Sequence, residues 1–324
     1  MKVAVVGLGK MGLLHASILN FLPNVEVVAF CDKSAMIRRF SRKIFAPAGV
    51  KVVNSTEELF DLGLEAAYVT TPISSHSTVA RDLYASGRVR NIFVEKTLAS
   101  NYEEAKELCE LAQHYKGVNM VGYMKRFAVT FGKAKDLLAK KALGEIYSFD
   151  AYAYSSDFLG VNEGSKASAP RGGALRDLGC HVIDLALWIF GDFQVDSVEP
   201  QSLSGEVSRD LVRFDVSSSG GLKGQVSVSR SMENYRMPEV GLSINGSKGT
   251  LRVSDDKLDL RLNEGESFTW YRHDLGDNVD FWLGESEYFR EDQHFIRSIL
   301  DGRDAEPDFR AASKVDHIID RVRA

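Results

Sequence analysis

Six residues near the amino terminus, Gly7-Leu8-Gly9-Lys10-Met11-Gly12, constrain the fold more than any other stretch of this chain. They follow a short apolar run and precede a segment with helical periodicity. In such a setting the first glycine permits a tight turn, the second lets a ligand approach the backbone, and the third lets helix and strand pack closely. The stretch therefore predicts a strand, a turn and a helix whose N-terminus binds the pyrophosphate of a dinucleotide.

Strands and helices alternate after this turn, which predicts a parallel sheet with helices on both faces. We expect a doubly wound Rossmann domain over residues 1–122. Strand-like runs occur at 2–9, 25–32, 65–72, 90–97 and 118–124, and helical patterns at 11–22, 55–63, 75–87 and 101–115. The segment 55–63 opens with a capping-box pattern, Ser55 followed by Glu58.

Asp32 ends the second predicted strand, 20 residues after Gly12. A carboxylate there accepts hydrogen bonds from the adenosine ribose hydroxyls, which favours NAD and disfavours a 2′-phosphate. Lys33, Ser34 and Arg38 follow and offer partners to that phosphate, so NADP stays possible.

Residues 123–324 show a different pattern, which predicts an α+β domain with a large, mainly antiparallel, open-faced sheet. We expect its helices to cover one face of the sheet and a second copy of the chain to cover the other, giving a dimer or a tetramer. The strand-like stretches are 145–154, 211–218, 222–231, 239–246, 249–255, 257–263 and 267–275; helical patterns lie at 131–144, 176–191, 286–302 and 308–323.

Composition excludes several classes of partner. The 324 residues carry 40 Lys and Arg against 45 Asp and Glu, a net charge of −5. This balance gives no electrostatic basis for binding nucleic acid or an anionic membrane. The sequence contains no run of 18 apolar residues, so we expect no membrane-spanning helix. Three widely spaced cysteines, Cys31, Cys109 and Cys180, are typical of reduced thiols in a cytoplasmic protein.

The stretch "RDLGCHVIDLALWIFG", residues 176–191, combines an apolar second half with Asp177, His181 and Asp184. In an α-helix, positions i, i+4 and i+7 share one face. An imidazole titrates near neutrality, so His181 is the candidate general base of this face. Asp177 can orient the imidazole. We expect no bound metal, because this face supplies only three ligands.

The whole chain resembles the glucose–fructose oxidoreductase, inositol dehydrogenase and MocA family, because five sequence motifs occur in the order typical of that family. They are the glycine turn followed by His15, "TTPISSH" at 70–76, "EKT" at 95–97, "GYMKRF" at 122–127 and "GGALRDLGCHVID" at 172–184. The resemblance implies an NAD(P)-dependent dehydrogenase that transfers hydride between a secondary alcohol of a sugar, an inositol or a related polyol and the nicotinamide. It makes Lys96, beside the nicotinamide and substrate, Asp177 and His181 the catalytic group.

The resemblance also implies roles for further residues. We expect cofactor contacts from the turn, including Lys10 and Met11, and substrate contacts from the start of the second domain and from its central helix. His76 either lines the cofactor site or is structural, and His15 is expected to pack. The remaining expected contacts are Thr71, Pro72 and Glu95 for the cofactor, and Tyr123, Arg126 and Asp184 for the substrate.

One position departs from the family pattern, since Thr97 stands where proline usually follows the lysine. A cis peptide is much less favourable before threonine than before proline. Either the Lys96–Thr97 bond is trans and Lys96 sits differently, or the cis form is kept.

Two other functions remain open at this point. A UDP-sugar dehydrogenase of the same family would need phosphate partners, which a set of basic residues in the second domain could supply. A non-catalytic cofactor-binding sensor would keep the fold without turnover. Substrate selectivity is expected from the loop at 155–173. The basic residues are Lys166, Arg171, Arg176, Arg230 and Arg236.

Overall fold

The computed structural model describes residues 1–157, 173–201 and 211–323. The chain divides into two compact units. The first unit contains Met1–Tyr123 and Val279–Asp316; the second contains Met124–Asn278 and the residues from His317 onward. Among the described helices, none combines the length and the apolarity that crossing a bilayer requires.

The first unit is built on a six-stranded parallel sheet in the order β3-β2-β1-β4-β5-β6. This order and the intervening helices make it the doubly wound Rossmann fold that the sequence predicts. The central strands are buried on both faces, which explains their nearly continuous apolar sequences. The strands are β1 (Lys2–Val6), β2 (Glu26–Cys31), β3 (Lys51–Val53), β4 (Ala66–Val69), β5 (Asn91–Glu95) and β6 (Asn119–Gly122).

Four helices accompany these strands: α1 (Lys10–Phe21), α2 (Ala35–Phe45), α3 (His76–Ala85) and α4 (Tyr102–Tyr115). The sequence pattern missed α2 and β3. In α2 only Ser41 is buried; Ile37 and Phe45, on the same face, are half-buried. The predicted capping box at 55–63 is wrong: a short 3-10 helix, Glu57–Leu62, begins one residue later, and the Glu58 carboxylate accepts from the Asn54 backbone and side chain instead.

The second unit carries an eight-stranded sheet in the order β14-β13-β12-β11-β7-β10-β9-β8. Only β7 and β10 pair in parallel among its neighbouring strands, so the expected mainly antiparallel sheet is confirmed. The sequence pattern missed the edge strand β8, which contains Pro200, a residue that edges tolerate. The strands are β7 (Ile146–Tyr154), β8 (Gln194–Gln201), β9 (Leu211–Ser217), β10 (Lys223–Ser229), β11 (Glu239–Gly246), β12 (Gly249–Ser254), β13 (Lys257–Leu262) and β14 (Ser267–Tyr271).

Helices α5 (Val129–Ala139) and α6 (Cys180–Phe190) belong to this second unit, and α6 packs on β7 and β11. A close approach to β10 depends on Gly179, whose added Cβ would lie 2.9 Å from the Val228 side chain. Because Gly179, the residue before α6, has no side chain, the helix can pack closely against the sheet.

The predicted single α-helix over 176–191 needs a correction. Leu175–Gly179 forms a π-helical turn, and the α-helix begins only at Cys180. Residues four apart no longer stack across a π turn, which has i to i+5 hydrogen bonds. His181 and Asp184 share α6, whereas Asp177 lies in the wider turn before it.

The division of the chain also differs from the expected 1–122 and 123–324. Helix α7 (Ser286–Asp301) lies in the first unit and packs on α1, and the boundary between the units falls within α8 (Phe309–Arg323). The reason is the large buried face of α7, where Phe295 makes edge contacts with the rings of Tyr68 and Phe93.

Candidate functional site

The glycine turn has a distinct physical requirement at each glycine. Gly7 has φ +98°, and a Cβ there would meet the backbone of Thr70 and Thr71 at 2.8 Å. A Cβ on Gly12 would lie 1.9 Å from the Gly7 carbonyl oxygen. Around Gly9, by contrast, no described atom lies within 4 Å of an added Cβ. Two glycines therefore serve packing, and the third leaves open space beside the backbone.

The N-terminus of α1 points into this open space. Gly9 is its N-cap, the first turn carries no acidic residue, and Lys10 is exposed while Met11 is half-buried. Backbone N–H groups and the helix dipole at such an end attract a phosphate. The space at Gly9 and the uncapped helix end thus fit the pyrophosphate of a dinucleotide, with the turn and its flanking residues to hold it.

Asp32 lies directly after β2, next to the turn. One carboxylate oxygen accepts from the Leu8 N–H at 2.8 Å, and the other accepts from the Ser34 N–H at 2.7 Å. The Arg38 guanidinium donates to the carbonyls of Asp32 and Lys33, both at 2.8 Å. The carboxylate is therefore fixed at the position where a ribose is expected, and Arg38 is engaged with backbone oxygens beside it.

Lys96 follows β5 directly, at the carboxyl edge of the parallel sheet. Its peptide bond to Thr97 is cis, which answers the alternative left open by the sequence. The His76 ring lies 2.8 Å from both the Thr97 and the Thr71 carbonyl oxygens. Burial lowers the pKa of His76, and the hydrogen bonds to the two carbonyls oppose that shift. His76 thereby ties the loop after Pro72 to the backbone beside Lys96.

The Glu95 carboxylate, an expected cofactor contact, is engaged by two groups of the first unit. Its carboxylate is buried; one oxygen lies 2.9 Å from Nε2 of His15, and the other accepts from the Lys96 N–H at 3.0 Å. Sequence reasoning assigned His15 to packing alone, although it is a fully buried, doubly hydrogen-bonded imidazole. Its second partner, Asp292, lies 277 positions away along the chain, so no local sequence pattern indicates this contact.

In the second unit, α6 carries His181, which is buried. Asp177, half-buried in the π turn before it, has a carboxylate oxygen 3.8 Å from a guanidinium nitrogen of Arg230. The helix therefore presents a buried imidazole and, one turn earlier, a carboxylate with a cationic neighbour. Both predicted members of the catalytic group in this unit lie on one continuous helical segment.

Asp184 and Arg126, both expected to contact substrate, are paired with each other. The Arg126 guanidinium donates twice to the Asp184 carboxylate, at 2.7 and 2.6 Å, and its central carbon lies 5.7 Å from the Trp188 ring centre. Burial raises the pKa of Asp184, and Arg126 opposes that shift. This buried bidentate pair joins α6 to the segment Met124–Phe127 and so positions the helix.

The remaining predicted residues have mixed placements. Tyr123 is fully buried at the end of the first unit. Arg176, one proposed phosphate partner, is also buried and pairs with Asp320 at 2.9 Å, while Arg236 is exposed. Lys166, Arg171 and most of the expected selectivity loop lie outside the described residues. Of the described members of this basic set, Arg176 pairs with Asp320 and Arg230 lies beside Asp177.

Within the described part of the chain, three potential metal ligands come close together: atoms of His15, Glu291 and Asp292 lie within 4.8 Å of one another. Both ring nitrogens of His15 already face carboxylate oxygens at 2.8–2.9 Å. A protonated imidazole has no lone pair for a metal, so this group is an ion-paired cluster.

Two family models match the sequence. One, described as an oxidoreductase family with an NAD-binding Rossmann fold, covers residues 1–123. The other, the GFO/IDH/MocA C-terminal domain, covers residues 131–252. The chain belongs to the GFO/IDH/MocA oxidoreductase family. The first model describes an NAD-binding Rossmann fold over residues 1–123, in agreement with the open space at Gly9.

Several known proteins are similar over most of this GFO/IDH/MocA chain. The rhizopine catabolism protein MocA of Rhizobium meliloti is 26% identical over 236 residues, 71% of each chain. The scyllo-inositol 2-dehydrogenase (NAD+) of Bacillus subtilis is 26% identical over 322 residues, 93% of this chain and 87% of its own. Levoglucosan dehydrogenase, solved with NADH and levoglucosan, has a TM-score of 0.84 at 21% identity over 99% of this chain and 96% of its own. The last likeness shows a shared fold.

Proposed function

We propose that this protein oxidises a secondary alcohol of a sugar, an inositol or a related polyol with NAD, and runs the reverse reduction. The observation that carries the proposal lies within the first unit. Lys96 follows β5 at the same carboxyl edge of the parallel sheet where the glycine turn follows β1. Ligands of open α/β sheets bind at this edge. A relative that aligns over 93% of the chain is an inositol dehydrogenase. This likeness supports a polyol as the class of substrate.

When bound, the nicotinamide supplies the acceptor for the hydride that leaves the carbinol carbon. In the proposed reaction the imidazole of His181 takes the hydroxyl proton as the C–H bond breaks and the carbonyl forms. The Lys96 ammonium stabilises the negative charge that develops on the oxygen. Asp177 favours the protonated imidazole that results.

NAD is the proposed preferred form of the cofactor. The Asp32 carboxylate, oriented by two backbone N–H groups, would accept from ribose hydroxyls and repel a 2′-phosphate. Arg38, which could pair with that phosphate, already donates to two backbone carbonyls.

A substrate panel tests the proposal. Purified protein is assayed for NADH absorbance with free sugars, inositols, other polyols and UDP-sugars, and the best substrate is then used with Lys96→Ala and His181→Asn. Loss of a general base costs about 10²–10⁴-fold in rate. We expect kcat losses in this range for His181→Asn and a large loss for Lys96→Ala.

Two exposed positions provide matched controls, Lys140→Ala and His273→Asn, whose side chains are 70% and 80% exposed. Both should keep the wild-type kcat. A response to UDP-sugars alone would replace the free-polyol assignment with a sugar-nucleotide dehydrogenase. NAD binding without turnover on any member of the panel would favour a sensor. Unchanged kcat in Lys96→Ala would refute its catalytic role.

We also propose that the open face of the eight-stranded sheet pairs with a second copy of this chain. Half-buried aromatic rings lie on this face, where Tyr152 stacks on Tyr154 at 5.1 Å and Tyr235 contacts both. Such rings are favoured at protein interfaces. Sedimentation velocity should give a dimer or a tetramer; a monomer at micromolar concentration would contradict the proposal.

A further inference from the structure

A fully buried imidazole in the first unit lies between two carboxylates from different elements. His15, on α1, has Nδ1 at 2.8 and 2.9 Å from the two oxygens of Asp292 on α7. Its Nε2 lies 2.9 Å from Glu95 at the end of β5. Asp292 is fully buried and Glu95 nearly so. Three elements thus converge on one ring.

This geometry holds His15 as an imidazolium. Burial alone would lower its pKa, but the adjacent Asp292 and Glu95 raise the pKa well above the usual value. Burial would raise the pKa of Glu95, but His15 and Lys96 bring it below its usual value. A ring proton on each nitrogen then donates to a carboxylate, and hydrogen bonds between charged groups are the stronger ones.

Other titratable groups face the same ring. Tyr68 of β4 lies 5.6 Å away between ring centres, and Tyr288 of α7 lies 6.2 Å away, edge-on. Burial raises the pKa of both phenols, so they stay neutral. Glu291, beside Asp292 on α7, is the remaining buried carboxyl of this cluster.

The second oxygen of Glu95 carries the network to Lys96. It accepts from the Lys96 backbone N–H at 3.0 Å. One residue further along the backbone, His76 faces the Thr97 carbonyl oxygen at 2.8 Å. The backbone from which the lysine side chain extends is thereby held on both sides by buried groups.

We propose that His15 and Asp292 are positioning residues for Lys96, acting through Glu95 to fix the backbone from which the lysine side chain extends. This inference rests on the proposed function of Lys96 and assigns new roles to a residue of the glycine-turn helix and to one 277 positions later. A charged chain of three side chains holds its last member more rigidly than an isolated carboxylate would be held. Supports of this kind hold functional side chains in productive geometry.

The competing explanation is that the cluster only clamps α7 to α1. A clamp predicts lower stability with normal turnover per folded molecule, whereas a positioning role predicts loss of kcat at unchanged NAD affinity. The two roles therefore separate in measurements on the full-length protein at temperatures well below the melting transition.

The test uses Asp292→Asn, His15→Gln and Asp292→Ala, with Asn119→Ala as the matched structural control. Asn119 is in the same unit and accepts from the Phe309 N–H at 2.7 Å, a contact that involves no member of the cluster. Each variant is measured for melting temperature, NAD affinity by fluorescence, and kcat and KM on the best polyol. Lysine labelled with 13C at Cε reports the Lys96 environment by NMR, its resonance assigned with Lys96→Arg.

We expect kcat to fall at least tenfold in His15→Gln and Asp292→Ala, with the dissociation constant for NAD within twofold of wild type. The Lys96 resonance should move in both. Asp292→Asn, which keeps an acceptor near Nδ1, should recover part of the kcat. Asn119→Ala should lower the melting temperature without changing kcat or the chemical shift of the Lys96 resonance. If His15→Gln does not fold, the comparison of Asp292→Asn with Asp292→Ala tests the positioning role.

Wild-type kcat and an unmoved Lys96 resonance in the folded variants would overturn the inference. If these variants behave like wild type while Lys96→Ala is inactive, the proposed function stands and only the positioning role fails. If Lys96→Ala keeps full turnover, the catalytic role of Lys96 fails, and the resonance alone still reports whether His15 and Asp292 control its environment.

Discussion

Gly9 and Gly12 allow the same substitution, glycine to alanine, to be compared at two positions three residues apart. At Gly12 the new Cβ would lie 1.9 Å from the Gly7 carbonyl oxygen, a backbone atom. Forced overpacking costs about 3 kcal/mol at the upper end of its usual range, and the helical preference for alanine returns about 1 kcal/mol. We therefore expect Gly12→Ala to lose about 2 kcal/mol, a Tm decrease of about 4–8 °C.

At Gly9 the new methyl meets no described atom within 4 Å, and the backbone is extended, at φ −72° and ψ −170°. An alanine N-cap costs about 0.5–1 kcal/mol, and the stiffer unfolded chain offsets about 0.4–1 kcal/mol. The Tm of Gly9→Ala should therefore stay close to that of wild type. Its methyl instead occupies the space we assign to the pyrophosphate, so NAD should bind at least tenfold more weakly.

Thermal melts with and without NAD separate the two effects. At a concentration 100 times the wild-type dissociation constant, NAD stabilises wild type by about 2.7 kcal/mol. A tenfold weaker Gly9→Ala would gain only about 1.4 kcal/mol under the same conditions. The reasoning is refuted if Gly9→Ala binds NAD as tightly as wild type, or if the two variants melt together in the absence of NAD.

Three further outcomes follow from the described contacts. Asp32→Ser should weaken NAD relative to NADP by at least tenfold in the ratio of kcat/KM; an unchanged ratio would exclude Asp32 from cofactor selection. Asp184→Asn should lose about 3–5 kcal/mol by leaving the buried Arg126 charge uncompensated, and the double variant with Arg126→Met should lose less, as chemical denaturation would show. His15 has a raised pKa when folded, so its stabilisation is complete below about pH 6.5 and is lost as pH rises through the folded value. The Tm difference between wild type and His15→Gln should therefore shrink toward alkaline pH, and a growing difference would contradict the assigned charge state.

The sequence was sufficient for the Rossmann sheet because its signals are local. The apolar run of β1, the glycines and the Asp32 spacing lie within one strand–helix–strand unit, and each has a direct physical meaning. The same local logic missed α2, where the exposed apolar residues Met36 and Phe40 reduce the contrast between its two faces. It also assigned residues 176–191 to one α-helix, because periodicity does not reveal a π turn.

The site was predictable only in part, for a different reason. Lys96, Asp177 and His181 were assigned from motifs, and their elements are as expected apart from the π turn. For Glu95, also assigned from a motif, the pattern gives the position along the strand and not the partner of each oxygen. The pairing of His15 with Asp292 spans 277 positions and depends on α7 belonging to the first unit, which no local pattern indicates.

The membership of Val279–Asp316 in the first unit has a consequence for synthesis of the chain. At roughly 5–20 residues per second on the ribosome, the interval between Tyr123 and Asp316 lasts about 10–40 s. During that interval the six strands of the Rossmann sheet are complete, yet of its two carboxylate partners His15 has only Glu95, and the Tyr68 ring lacks its contact with Phe295. The nascent NAD-binding domain is therefore complete only after residues 279–316 have been synthesised. A fragment that ends at residue 123 would keep the surface that α7 covers exposed.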